Sequence, residues 1–379
     1  MSDVAQIVSR ICGTCSIAHE TACIEAIENG LGINPSEQTI ELRNLLLNGL
    51  NIRDHAMHLF IFCLPDLYGK DSILDFPDSG KLHNLVHSAF DIKQAGNDLS
   101  AAIGGRAVHA PFPTIGGYLK LPSFEELKKI SKQLEKVRDA AIDFVEIFHE
   151  CEFFNEPCAE FVSLINDKFS YLGKELMSSE GESIPKEKFE QHLHEFVIPY
   201  SQAKGFEFEG KPYIVGALAR VNINGKALNK RTKKDLSKFL KVFPSTNIFH
   251  NNLAQAIEIV NCIDFSREII DSLDIKNEKP PTLHQLKKDV SGIGVIEAPR
   301  GTLYYNMKIA KDLKVKYTHV VIPTAQNQVS MDKEIGRLVQ WCLDNNKNKK
   351  YIYHEIEKLI RAYDPCMSCA THFLKIKWI

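Results

Sequence analysis

Residues 10–20 read RICGTCSIAHE and residues 364–372 read DPCMSCATH. Each stretch holds two cysteines separated by two residues and then a histidine: Cys12, Cys15 and His19 near the start, Cys366, Cys369 and His372 near the end. Two thiolates fill only half of a four-coordinate metal sphere, so either hook is incomplete alone and the four sulfurs together would complete one site. A structural zinc ribbon is the usual reading of two such hooks, but it closes a loop of roughly 15–20 residues. Here nearly the whole chain of 379 residues lies between them. Joining the two ends requires a folded core in between, which is how a buried functional site is built.

Composition narrows the classes. A chain of 379 residues corresponds to roughly two or three domains on a prior of about 150 residues each, and it can bury a sizeable core. With 46 Lys+Arg against 48 Asp+Glu, the net charge of -2 offers no broad field for a polyanion, so nucleic acid is not an expected partner. The opening MSDVAQIVSR has no basic segment followed by an apolar core, and no apolar run approaches the ~18 residues that span a bilayer. A soluble protein without its own export signal is expected. Ten cysteines are too sparse for a small disulfide framework, and Cys23, Cys63, Cys151, Cys158, Cys262 and Cys342 read as small buried hydrophobes.

Helical periodicity dominates the first part. After Asn34-Pro35, the residues Ile40, Leu46, Leu47, Leu50, Met57 and Ile61 return to one face, which predicts a long helix ending near Leu64-Pro65. A second is expected over 81–103, stopped by Gly104-Gly105, and a third from Ser123, whose SFEE sequence fits a capping box. A fourth lies between 247 and 273, with shorter ones near 331–345 and 353–362. The segments 160–165, 206–214, 294–296, 302–309 and 313–322 are short and rich in β-branched or aromatic residues, as strands are. Helices and strands come in separate runs. The fold expected is therefore α+β, mainly helical, with a central bundle of long helices and small peripheral sheets, in a single unit over 1–379.

The paired motifs RxCGxCxxxH and DPCxxCxxH resemble the signatures of the large, catalytic subunit of nickel-iron hydrogenases. The resemblance continues through His55-x-x-His58 and Leu64-Pro65-Asp66, Gly104-Gly105-Arg106 with His109, residues 215–222 (VGALARVN), 297–301 (EAPRG) and 323–327 (PTAQN), and so covers essentially the whole chain. It implies that Cys12, Cys15, Cys366 and Cys369 bind nickel, and that Cys15 and Cys369 also bridge to an iron carrying two cyanides and one carbon monoxide. Soft thiolates suit such a redox-active metal. Dihydrogen would be split heterolytically, with the Cys366 thiolate as first candidate for the base. Arg300 would orient the substrate and stabilise charge over the metals. Asp66 would anchor Arg300, and Asp364 would lie beside it. Thr324 and the Pro299-Arg300 backbone would hydrogen-bond the cyanides, His19 would donate to a cysteine sulfur, and His372 would bind a magnesium or iron ion near the carboxyl end.

The resemblance further implies an iron-sulfur small subunit that takes the electrons, since this chain has no further cysteine cluster for such centres. The DPCxSCATH ending is most similar to cytoplasmic members that pass electrons to a nicotinamide (diaphorase-like), a deazaflavin or a disulfide reductase. Relative to the family the chain is N-terminally shortened: nine residues precede Arg10, and none matches the family's arginine-glycine-x-glutamate stretch. Residues 373–379 would be the tail that a maturation endopeptidase removes, or they are retained. The alternatives are a nickel-free respiratory-complex-like subunit, an inactive paralogue with a structural metal site, and a zinc-stabilised interaction protein. Without the family context His55, His58 and His109 read as satisfied core histidines, and GGR as a helix stop.

Overall fold

The computed structural model describes residues 1–155, 159–201 and 203–366. Cys369 and His372, the 373–379 tail and Cys158 lie outside the described residues. The helices are α1 (Ser2–Val8), α2 (Ser16–Leu31), α3 (Glu37–Met57), α4 (Leu64–Leu67), α5 (Lys81–Gly104), α6 (Phe124–His149), α7 (Ala217–Asn224), α8 (Lys230–Asp235), α9 (His250–Ser272), α10 (Pro323–Asp344) and α11 (Lys349–Tyr363). One apolar core, with Ile17, Leu46, Leu99, Leu134 and Ile257 among its members, joins α2, α3, α5, α6 and α9. The α+β architecture and its central helical bundle are as the sequence implies. No helix among the described residues is long and apolar enough to cross a membrane.

The strands form small sheets around the bundle. β1 (Pro113–Thr114) pairs with β2 (Gly117–Tyr118); β3 (Glu160–Ile165), β4 (Glu175–Ser178), β5 (Ser183–Pro185), β6 (Leu193–Phe196), β7 (Gly205–Phe208) and β8 (Tyr213–Ile214) follow. They assemble as β5-β4-β3-β8 and β6-β7. β9 (Val290–Ala298), β10 (Gly301–Ile309) and β11 (Val315–Val321) make an antiparallel sheet with β10 in the centre, and Gly301 pairs with Ala298 across its first turn.

Two close approaches place the site. On α2, Ala22, Ala26 and Gly30 lie one turn apart and run directly against the glycines of β9: a Cβ added at Gly292 would sit 2.0 Å from the Ala26 carbonyl oxygen, and one at Gly294 2.1 Å from that of Ala22. Backbone meets backbone there, so the N-terminal end of α2 and the C-terminal end of β9 are held in fixed relation. The second contact joins α3 to α5. A Cβ at Gly96 would lie 2.7 Å from the Arg53 nitrogen, and one at Gly49 2.5 Å from the Ser100 hydroxyl. This fixes the height of Arg53 and Asp54 in the bundle.

The elements differ from the sequence reading where side chains override periodicity. The long helix is capped by Ser36, whose hydroxyl accepts from the Thr39 amide, and not at Asn34-Pro35. It does not stop at Pro65. A π-helical turn over His58–Cys63 absorbs the offset, and Pro65 then sits in the first turn of α4, where it lacks no needed donor. α10 starts at Pro323, eight residues ahead of the periodic stripe, because its first turn is buried polar sequence. α2 is missed altogether: nearly all its faces are buried, so no amphipathic stripe marks it. The expected strand over 206–214 is two short ones, β7 and β8, separated by a turn at Glu209-Gly210.

Candidate metal centre

The folded core brings the chain ends together. The thiol sulfurs of Cys12, Cys15 and Cys366 all lie within 4.8 Å of one another, and all three residues are buried. Cys12 Sγ and Cys366 Sγ are 3.4 Å apart, far beyond the ~2.05 Å of a disulfide and close to the separation of two sulfurs that share one metal at bonds of about 2.3 Å. Cys12 closes the first hook by accepting the Cys15 amide at 3.3 Å. Cys15 is the N-cap of α2, which has no side-chain cap bond, and the positive end of a helix dipole favours a thiolate placed there. Arg53 reaches from α3 and donates to the carbonyl oxygens of Thr14 and Ala107, pinning the loop between the cysteines to the loop after α5.

The second hook is held from α10 and α11. The Cys366 amide donates to Thr324 Oγ1 at 2.9 Å, in the first turn of α10. Because Oγ1 accepts there, its own hydrogen remains for a partner inside the site. Cys15, His19, Ala298, Arg300, Thr324 and Cys366 line a small cavity. His19 is tied through Nδ1 to the Tyr305 hydroxyl at 2.7 Å. Burial lowers its pKa to about 4, Cys12 opposing, so the imidazole is neutral near pH 7.

Arg300 lines the same cavity as Cys15 and Cys366. It donates through one terminal nitrogen to Asp54 at 2.6 Å and pairs through the other with Asp364 at 2.9 Å. Burial pulls the guanidinium down, but Asp364 and Asp54 outweigh it and hold Arg300 well above its ordinary range. Such a group stays charged and cannot act as a resting base. Its Nε is buried with no hydrogen-bond partner among the described residues, an orphan donor of the kind a bound group satisfies.

The expected anchor of Arg300 is corrected here. Asp66 does not hold Arg300; it forms a two-pronged pair with Arg361, both bonds at 2.8 Å. The π-turn carries Asp66 out of the bundle toward α11, whereas Asp54 sits on the buried face of α3 at the height of Arg300. Asp66 thereby fixes the end of α11 from which Asp364 and Cys366 emerge. Asp364 caps that helix at φ 50°, a left-handed conformation that aspartate tolerates, and also accepts from Gln255 at 2.8 Å.

A buried network supports the Glu297–Arg300 turn. Arg220, on α7, donates to both Glu258 oxygens at 2.7 Å, to Glu297 at 2.9 Å, and to the Ala298 and Pro299 carbonyls at 3.0 Å. Burial pushes Glu258 up, but Arg220 and His55 outweigh it and hold the carboxyl at about 2. After Arg300 the chain turns at Gly301, φ 129°, where an added Cβ would lie 2.4 Å from Val215. His58 bonds Gln255 and the Arg361 carbonyl through its two ring nitrogens, and His109 meets Ser9 and Ser16; His55 bonds Glu258 through Nε2, while its Nδ1 is buried without a partner among the described residues.

Arg53, Asp54, Gln255 and Tyr305 are the neighbours that sequence reasoning did not assign. Asp54 had a signal, standing directly before His55-x-x-His58; the other three had none.

Comparison with known proteins agrees with this geometry. The sequence profile described as nickel-dependent hydrogenase matches residues 1–79 and 165–372. The chain is 32% identical over 380 residues to the alpha chain of sulfhydrogenase 1 from Pyrococcus furiosus, covering 99% of this chain and 88% of that one. It is 27% identical to the corresponding chain of the F420-non-reducing hydrogenase vhc of Methanococcus voltae, covering 98% and 85%. Its fold matches an NAD+-reducing [NiFe]-hydrogenase in the H2-reduced state with a TM-score of 0.85 at 23% identity, over 98% of this chain and 88% of that chain. A [NiFeSe] hydrogenase from Desulfovibrio vulgaris Hildenborough matches with a TM-score of 0.75 at 19% identity, over 98% and 89%. The chain belongs to the nickel-dependent hydrogenase family, oxidoreductases that act on dihydrogen.

Proposed function

We propose that this chain is the catalytic large subunit of a nickel-iron hydrogenase, cleaving dihydrogen heterolytically and reversibly. The observation that carries the reading is the meeting of Cys12, Cys15 and Cys366, from opposite ends of the chain, beneath a charged Arg300 with an unsatisfied N–H. The donor set fits the group. Three soft sulfurs, with Cys369 as fourth ligand, would suit nickel, and Cys15 and Cys369 would also hold an iron with two cyanides and one carbon monoxide. A closed structural zinc site requires neither a cavity beside the sulfurs nor a guanidinium held over it.

When bound, the centre supplies the polarisation of dihydrogen and the capacity to store two electrons. The chain's own residues do the rest. The Cys366 sulfur accepts the proton. Arg300, kept positive by Asp54 and Asp364, orients the substrate and stabilises charge. The Thr324 hydroxyl and the Pro299-Arg300 backbone would hydrogen-bond the cyanides, and His19 would donate to a sulfur. His372 would hold a magnesium or iron ion. Asp66 acts at one remove, through α11.

Electrons pass to an iron-sulfur small subunit, then onward to a diaphorase-like, deazaflavin-reducing or disulfide-reductase module, in the cytoplasm. Support for the partner class comes from the names of the relatives, which are components of larger hydrogenases. Assay of hydrogen-dependent dye reduction by the matured complex tests the reading. Wild type turns over and Cys366→Ser does not; near-normal turnover in Cys366→Ser, or none in nickel-loaded wild type, contradicts it.

A further inference from the structure

His19 can donate to a sulfur only if the nitrogen that faces the cavity carries the proton. His19 sits in the first turn of α2 and walls the cavity beside Cys15, Arg300 and Cys366. Tyr305, on the central strand β10, is fully buried, and its ring meets the imidazole edge-on with centroids 5.9 Å apart. The 2.7 Å contact between Tyr305 Oη and His19 Nδ1 can be made in two ways. Either the phenol donates and Nε2 carries the imidazole proton, or Nδ1–H donates and Nε2 is a bare lone pair. The groups gathered in the cavity decide between them, because its sulfurs are acceptors. A lone pair turned to thiolates sets acceptor against acceptor, whereas Nε2–H offers them a donor.

We propose that Tyr305 is a positioning residue that donates to His19 Nδ1, fixes the Nε2–H tautomer, and thereby aims an N–H at the sulfurs of the metal centre. This rests on the reading of the cavity as a nickel-iron site. Each bond in the relay withdraws charge from the next: phenol to imidazole, imidazole to thiolate, thiolate to metal. The strand matters as much as the residue. β9 and β10 pair across the turn that carries Arg300 into the cavity lining, and β10 carries Tyr305 to His19.

Two measurements test it. The first uses the metal-free chain labelled with 15N-histidine, with the His19 resonances assigned by comparison with His19→Gln. Wild type should show protonated Nε2 and unprotonated Nδ1, and Tyr305→Phe a mixture of tautomers; an Nδ1–H tautomer in wild type overturns the inference whether or not the variant folds. The second is infrared spectroscopy of the matured enzyme. In Tyr305→Phe the cyanide and carbonyl bands should move to lower wavenumber as sulfur charge rises, and turnover should fall by about 10-fold or more. If wild type shows no such bands, the nickel-iron reading fails. If wild type shows them and Tyr305→Phe leaves them unmoved, the role of Tyr305 fails and the nickel-iron reading stands.

Discussion

Substituting Asp54 by alanine removes one of two carboxylates that hold Arg300 over the metal site. Asp54 is 1% exposed and bonds the guanidinium at 2.6 Å, while Asp364 supplies the other contact at 2.9 Å. Breaking a buried pair by deleting one partner costs about 3–5 kcal/mol. Asp364 retains part of that, leaving about 2–3 kcal/mol lost from the correctly placed guanidinium. At about 1.4 kcal/mol per decade this is a roughly 30- to 150-fold fall in turnover, in line with the ~100-fold or more lost when one preorganised donor is deleted. Asp66→Ala is the matched control. Its pair with Arg361 is partly open to solvent, at 27% and 9% exposure, so about 1 kcal/mol of stability and no more than about threefold in turnover should go. The assay is hydrogen-dependent dye reduction by the matured complex, normalised to bound nickel. If Asp66→Ala equals Asp54→Ala, or if Asp54→Ala stays within about threefold of wild type, the canopy reasoning is wrong.

Other outcomes follow from the same structure. Burial lifts the Glu20 carboxyl from 4.5 to about 9, against Arg106 and Gln6. Between those values the folded state keeps a proton that the unfolded state has released, so stability falls as pH rises through the window. Glu20→Gln should remove that slope, adding about 4 kcal/mol near pH 7.5 at 1.36 kcal/mol per unit; thermal melts with an unchanged pH dependence would contradict it. Gly294→Ala forces a methyl to 2.1 Å from the Ala22 carbonyl oxygen and should cost about 3 kcal/mol in denaturant titration. Gly336→Ala, with nothing within 4 Å, should cost nothing; equal losses would refute the close-packing claim. Arg220→Met leaves Glu258 and Glu297 buried without their shared cation and should destabilise by about 3–5 kcal/mol, read by the same titration; a neutral result would mean that the network is not what holds the 297–300 turn.

Much of this was legible in the sequence, and for physical reasons. The cysteine hooks declare a site by ligand count alone, and their separation implies the core between them. The amphipathic stripe of α6 and the glycine stop of α5 mark those helices directly. What stayed hidden has a common cause. α2 and α3 are buried on almost every side, so their polar residues look misplaced in one dimension and find partners only in three. Arg53, Gln255 and Tyr305 are ordinary residues whose meaning is a neighbour 39 to 286 positions away. Asp66 misled for the same reason: it lies next to a family motif in sequence, but a π-turn, which no periodicity announces, directs it to Arg361 and leaves Arg300 to Asp54.

Infrared spectroscopy with metal analysis on protein matured in a competent host decides whether the cysteine cluster is a nickel-iron centre. One nickel per chain together with cyanide and carbonyl stretching bands, both lost in Cys366→Ser, is the expected result. Zinc in place of nickel, with no such bands in the wild-type protein, would show that Cys12, Cys15 and Cys366 hold a structural metal and that the canopy above them has no dihydrogen to act upon.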